Sequence, residues 1–212
     1  MADPEKFAQA LFQGSIEEVK KLIQECFDRG EKAQDILNQG LIKAMEQVGV
    51  KFKNCEIYIP EVLIAARAMH AGLGVLKPIL AKSTAPTAAK IVLGTVQGDL
   101  HDIGKNLVGM MLEGGGFEVV DIGIDVPPEK FIQAAKDHGA KVIGMSALLT
   151  TTMMQMKATI AALKASDLKD GIKTLIGGAP VTEEFARNIG ADGYAPDAAS
   201  AVDKVKEVLK RI

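Results

Sequence analysis

Apolar positions recur at three- and four-residue intervals through about residue 77, and after residue 90 they gather into short runs separated by helical patterns. In the first stretch, Val19, Leu22, Ile23, Cys26 and Phe27 form one stripe of an amphipathic helix. Ser15-Ile16-Glu17-Glu18 fits a capping box ahead of it, with Ser15 as N-cap and Glu18 reaching back, and Asp28-Arg29-Gly30 ends it. A second pattern carries Ile36, Leu37, Leu41, Met45 and Val48 and closes near Gly49. Pro60 suits the first turn of a third, which bears Val62, Leu63, Ala66, Met69, Leu73 and Leu76. With the segment from Phe7 to Phe12, this predicts about four helices, enough for a small bundle.

Lys77 to Ala89 holds Pro78, Ser83, Thr84, Pro86 and Thr87 and reads as a connector and a plausible hinge over 77–89. The expected division is a helical domain over 1–80, a linker over 81–89 and a second domain over 90–212. In that second domain, β-branched apolar runs predict strands over 90–96, 117–122, 141–146, 172–177 and 193–195. Helical patterns fall between and after them, over 104–114, 127–138, 152–165, 181–189 and 197–210. Buried runs alternating with helices imply an α/β fold, a doubly wound, flavodoxin-like parallel sheet of five strands.

Composition narrows the function classes. Hydrophobic residues make up 48% and charged residues 25% of the 212 positions, as in a globular protein. A net charge of −2, no Trp and 4% aromatics give neither the basic groove nor the stacking platforms of a nucleic-acid binder. The apolar runs fall far short of a membrane span, no signal peptide is visible, and Cys26 and Cys55 are isolated. These features point to a cytoplasmic protein without membrane or nucleic-acid partners.

The candidate chemistry lies along one edge of the predicted sheet. Gly98-Asp99-Leu100-His101-Asp102-Ile103-Gly104 follows the first strand, where open α/β sheets bind ligands. A histidine with a carboxylate two residues before it can coordinate a metal through one ring nitrogen while the other donates to the carboxylate. Ser146 and Thr150, Thr151 and Thr152 follow the third strand, Gly177-Gly178 ends the fourth and Tyr194-Ala195 the fifth. Each group taken singly has an ordinary structural reading: a solvated loop histidine, a turn, a capped strand end. Their shared edge carries the argument. His70 and His138 read as structural or solvated, and Met153, Met154 and Met156 as core.

Competing site types fail on particular residues. The loop is neither Gly-x-Gly-x-x-Gly nor a phosphate-cradling Gly-Lys-Ser/Thr turn. A phosphoacceptor receiver would place Asp where Ser146 stands, a metal hydrolase would need more histidines, and no nucleophile elbow is present.

Asp99-x-His101-x-x-Gly104, Ser146-x-Leu148 and Gly177-Gly178, in that order, resemble the cobalamin-binding signature of cobalamin-dependent methionine synthase and of the corrinoid proteins of methyl-transfer systems. The helical half, with Tyr58-Ile59-Pro60-Glu61-Val62 and Ala65-Ala66-Arg67-Ala68-Met69, resembles that group's cap. The resemblance implies cobalamin or a related corrinoid bound base-off/His-on, with His101 as axial cobalt ligand and Asp99 and Thr152 as its relay. It assigns Gly98, Asp102, Ile103, Gly104, Ser146, Leu148, Thr150, Gly177, Gly178, Tyr194 and Ala195 to cofactor binding, and Tyr58, Val62 and Met69 to a cap over the corrin. The related methionine synthase pattern has serine where Thr152 stands here. The implied function is a corrinoid methyl carrier, a subunit with no activity of its own in a cobalamin-dependent methyltransferase system. Its implied partners are a substrate:corrinoid methyltransferase, a second methyltransferase with a tetrahydrofolate or thiol acceptor, and a reductive activase. The alternatives are a cobalamin-binding sensor, for which no output module is visible, and a mutase small subunit, which the helical cap disfavours.

Overall fold

The N-terminal part is helical: α1 (Pro4–Phe12), α2 (Ile16–Asp28), α3 (Ala33–Asp35) passing through a π-helical stretch (Ile36–Ile42) into α4 (Lys43–Lys53), and α5 (Ile59–Leu80). The structure is a computed structural model that describes residues 2–80 and 89–210. Of the expected linker over 81–89, all but Ala89 lies outside the described residues. By its contacts the chain forms two units, residues 1–88 with Glu113–Gly116, and the remainder.

In the helical unit the caps follow local chemistry. The Asp3 side chain accepts from the N–H of Glu5 ahead of α1, and Ser15 Oγ accepts from the N–H of Glu18 ahead of α2. The capping box is only half formed. The Ser15 N–H donates to the Ala10 carbonyl at 3.0 Å, so Glu18 has no donor to reach back to and faces Lys21 instead. The reciprocal half is seen at α5, where Glu61 Oε2 accepts from the Tyr58 N–H at 3.1 Å. The second helical run does not close at Gly49. It continues to Lys53, and Cys55, at φ 58°, turns the chain beyond it.

α5 corrects two sequence expectations. It runs to Leu80 with Pro78 inside it, so Lys77 to Leu80 are helical, and at 22 residues it is long and apolar enough to cross a membrane by composition. Packing accounts for part of that composition. Val62, Ala65, Ala66, Met69, Leu73 and Leu76 are buried at helical spacing. Gly72, on the same stripe, lies so close to Val19 and Leu41 that a Cβ would stand 2.9 Å from the Val19 side chain.

The second unit is a parallel sheet of β1 (Lys90–Thr95), β2 (Glu118–Asp121), β3 (Val142–Ser146), β4 (Lys173–Gly177) and β5 (Gly193–Tyr194), in the order β2-β1-β3-β4-β5. Its helices are α6 (Ile103–Gly114), α7 (Pro128–His138), α8 (Met154–Ala165), α9 (Glu183–Ile189) and α10 (Ala198–Leu209). This is the flavodoxin-like order, with its topological switch between β1 and β3. Every strand and helix boundary lies within two residues of the sequence expectation. The sheet's buried side chains, such as Val92, Ile143 and Ile176, pack with Phe131, Ile160 and Leu163 from α7 and α8. Register aligns Thr95 with Ser146 and Ser146 with Gly177, so the loops after β1, β3 and β4 leave from one level of the sheet.

Candidate cofactor-binding site

β1 delivers the chain to the switch point, and the loop from Val96 to Asp102 folds back there before α6 begins. Its turn is local. The Asp99 N–H donates to the Val96 carbonyl at 3.1 Å, Gly98 takes φ 81°, and Thr95 Oγ1 donates to the His101 carbonyl at 2.8 Å. Asp102 starts α6, its carbonyl accepting from the Asn106 N–H at 2.7 Å and its carboxylate from the Asn106 side chain at 3.2 Å. Asp102 is therefore a helix-starting residue.

Asp99 is the centre of the site. Although charged, it is fully buried, and both carboxylate oxygens are saturated. Oδ1 accepts from the His101 N–H at 3.1 Å and meets His101 Nδ1 at 2.7 Å. Oδ2 accepts from the N–H groups of Leu148 at 2.8 Å and Leu149 at 3.2 Å, and stands 2.8 Å from the Thr152 hydroxyl. Thr152 Oγ1 also lies 2.9 Å from the Leu149 carbonyl, and of the two acceptors the charged one is the stronger. Burial alone would raise the Asp99 pKa. The donors from His101, Leu148 and Thr152 outweigh it and hold the carboxyl well below the usual carboxylate range.

The ionised carboxylate fixes the imidazole. Asp99 carries no proton to donate, so the Nδ1 of His101 that meets it must carry one, which leaves Nε2 as the ring nitrogen open to a metal. The His101 side chain is half exposed. Around it stand apolar side chains left in solvent: Leu100 at 67% exposure, Ile103 at 74%, and Leu148 and Leu149 at 43% and 42%. A Cβ on Gly104 would meet nothing within 4 Å, which leaves open space at the start of α6. An exposed apolar surface around one ring nitrogen that the protein does not engage suits a large flat apolar ligand carrying its own metal. Among the described residues, no group of three or more His, Cys, Asp or Glu side chains is placed to hold a metal ion by itself.

The remaining residues singled out from the sequence divide into two sets. Ser146 is half-buried at the end of β3, its carbonyl accepting from the Val96 N–H, and Thr150 is exposed in the turn before α8. Gly177 and Gly178 serve backbone approach: a Cβ on Gly178 would stand 1.9 Å from the Ala147 carbonyl oxygen, and one on Gly177 would stand 3.0 Å from that of Ala195. Tyr194 is half-buried against the core and Ala195 is 6% exposed, so the Ala195 methyl is packing and only its backbone remains near the edge. Tyr58 is 67% exposed at the start of α5, but Val62 and Met69 are 0% and 1% exposed. Val62 and Met69 share the Gly72 stripe and are packed in the bundle core, whereas Tyr58 alone of the three expected cap residues stands in solvent. The N–H groups of Leu148 and Leu149 were missed as Asp99 donors, since a backbone N–H has no signature in residue type.

Two family descriptions, each for a B12 binding domain, match the chain, one over residues 89–203 and the other over 4–77. The chain belongs to the B12-binding corrinoid protein family. It is 42% identical to a corrinoid protein of Desulfitobacterium hafniense, over 97% of this chain and 96% of that one. It is 46% identical to the dimethylamine corrinoid protein of Methanosarcina barkeri, over 82% and 83% of the two chains. Among solved structures of the family, it is similar to a chain of the methanol:cobalamin methyltransferase complex of Methanosarcina barkeri. The TM-score is 0.83 and the identity 30%, covering 98% of this chain and 79% of that one. A crystal structure of a cobalamin-binding protein from Desulfitobacterium hafniense matches with a TM-score of 0.81 and 34% identity, covering 97% and 98%.

Proposed function

We propose that this chain carries a methyl group on a corrinoid cobalt between a substrate-specific methyltransferase and a second methyltransferase with a tetrahydrofolate or thiol acceptor. When bound, the corrinoid supplies the cobalt that accepts and releases the methyl group. The protein's residues do the rest. His101 would offer Nε2 to the cobalt in a base-off/His-on arrangement, while Asp99 holds Nδ1–H and would raise the donor strength of the ring, and Thr152 steadies Asp99. Leu100, Ile103, Leu148 and Leu149 present an apolar surface to the macrocycle, and Gly104 leaves room beside it. Ser146, Thr150 and the strand ends at Gly177, Gly178, Tyr194 and Ala195 would form the edge that holds the cofactor's nucleotide portion.

The observation that carries this reading is a half-exposed histidine whose Nδ1 is held at 2.7 Å by a fully buried carboxylate, which turns Nε2 to the open side. The similarity to dimethylamine and methanol systems supports a methyltransferase as donor partner and makes methylated amines the first donors to assay. A reductive activase that restores the reduced cobalt completes the set, and the setting is cytoplasmic. On this reading the chain acts with these partners as the corrinoid subunit of a methyltransferase system.

Reconstitution with cobalamin tests the proposal. The wild type is expected to show one nitrogen superhyperfine coupling from His101 in the Co(II) electron paramagnetic resonance spectrum. His101→Ala should retain corrinoid and lose that coupling. Identical spectra for the two proteins, or no binding by the wild type, overturn the reading.

A further inference from the structure

We propose that Asp125, in the connection between β2 and α7, is a positioning residue for the axial-ligand loop, an inference that rests on His101 being the ligand. Asp125 reaches across 27 residues of sequence to place Oδ1 at 2.7 Å from the Gly98 N–H. Its own N–H donates to the Asp99 carbonyl at 3.0 Å. Asp99 is thus held at two points by two different segments. The turn before α8 grips its carboxylate, and Asp125 grips its backbone and that of its neighbour. His101 hangs from Asp99 through both its N–H and its ring. A shift of the Asp99 backbone therefore moves the imidazole with it.

The backbone at Asp125 marks the contact as more than incidental. Its φ is 53°, a left-handed conformation that glycine adopts freely and that, among residues with a Cβ, Asp and Asn enter through local hydrogen bonds. The side chain at this position performs a task that glycine cannot, accepting from Gly98, which itself needs φ 81°. The platform behind Asp125 is firm. The Val126 N–H donates to the Thr95 carbonyl at 3.0 Å, and the Thr95 N–H to the Gly123 carbonyl at 3.0 Å. Asp121 Oδ1 accepts from the Gly123 N–H at 2.9 Å, and its other oxygen is paired with the Lys105 ammonium, whose side chain is 2% exposed. The connection is bonded to the end of β1 on one side and to the first turn of α6 on the other, and the ligand loop lies between these two anchors.

Two variants separate side chain from backbone. Asp125→Gly keeps the left-handed backbone and removes the acceptor, and Asp125→Asn keeps an acceptor oxygen and tolerates the same φ. In the cofactor-free protein, amide hydrogen exchange at Gly98 and nitrogen chemical shifts of the His101 ring read the loop directly. Asp125→Gly is expected to exchange Gly98 about tenfold faster and to mix the ring tautomers, with an unchanged denaturation midpoint. Asp125→Asn should stay within about twofold of wild type. With cobalamin bound, Asp125→Gly should show a smaller His101-coordinated fraction in the Co(II) spectrum. If Asp125→Gly matches wild type in exchange and ring shifts, or if Asp125→Asn is as impaired as Asp125→Gly, the proposal is overturned. If wild type and His101→Ala share one spectrum, the ligand reading fails instead, and the clamp is judged on the cofactor-free measurements alone.

Discussion

The carboxylate of Asp99 is buried, ionised and saturated, and those properties together decide the state of the histidine beside it. Hydrogen bonds to an ionised carboxylate are stronger than those between neutral groups, and removing the acceptor leaves buried donors unpaired at about 1–3 kcal/mol. Asp99→Asn keeps the size but points an amide N–H₂ at groups that are themselves donors. The sign of the pH effect follows from the direction of the shift. The folded pKa lies below the unfolded value of about 4. Asp99 therefore stabilises the fold fully above that value, and the contribution is lost as pH falls toward the folded pKa. Urea midpoints between pH 6 and pH 2 should fall more steeply for wild type than for Asp99→Asn, and the gap between the two curves should narrow toward the acid end. Parallel curves would show that Asp99 titrates alike in folded and unfolded chains. In the sequence, the Asp99–His101 pairing was legible from their spacing. The donors Leu148 and Leu149 were not, because an N–H belongs to every non-proline residue and only the fold aims it.

At the scale of elements, periodicity and turn chemistry located every strand and helix of the sheet unit, because buried parallel strands leave continuous apolar runs. The helical unit was less legible at its ends. Glycine at position 49 is a weak helix terminator when packed, and the proline at 78 does not end α5. Side-chain direction was legible only where it followed the stripe. Val62 and Met69 obey the same helical spacing as Leu73 and Leu76, and that spacing buries them. The glycines differ in kind. Gly178, at φ 131° with the Ala147 carbonyl where a Cβ would go, should not tolerate a methyl group. Gly178→Ala is expected to cost about 3 kcal/mol in urea denaturation, from strain and overpacking together. Gly104→Ala should leave the cofactor-free protein within about 1 kcal/mol of wild type, since nothing lies near. Its effect should fall on corrinoid affinity, measured by titration. Equal stability losses at the two positions would contradict this division.

For the whole molecule, two families of B12 binding domain share one chain, the first match ending at residue 77 and the second beginning at 89. The change of hydrophobic period in the sequence falls between the same limits. A ligand that binds only the folded state stabilises it by mass action, about 2.7 kcal/mol at a hundredfold excess over the dissociation constant. For a chain of this length that corresponds to a rise of about 5–10 °C in Tm. Cobalamin should produce such a rise in wild type and a smaller one in His101→Ala, measured by calorimetry. No rise in wild type would show that the corrinoid site is not formed by the folded protein.

The grip of Thr152 on Asp99 spans 53 residues of chain. The loop after β1 is therefore synthesised long before the groups that orient it, and closing that distance costs loop entropy that no local contact offsets. A chain emerging from the ribosome has its histidine and Asp99 early, but the carboxylate gains its full set of donors only when β3 docks beside β1 and the following turn closes. Competence to take up the cofactor is in this sense a report of sheet assembly, because a chain without docked β3 lacks the donors that saturate Asp99 behind the histidine.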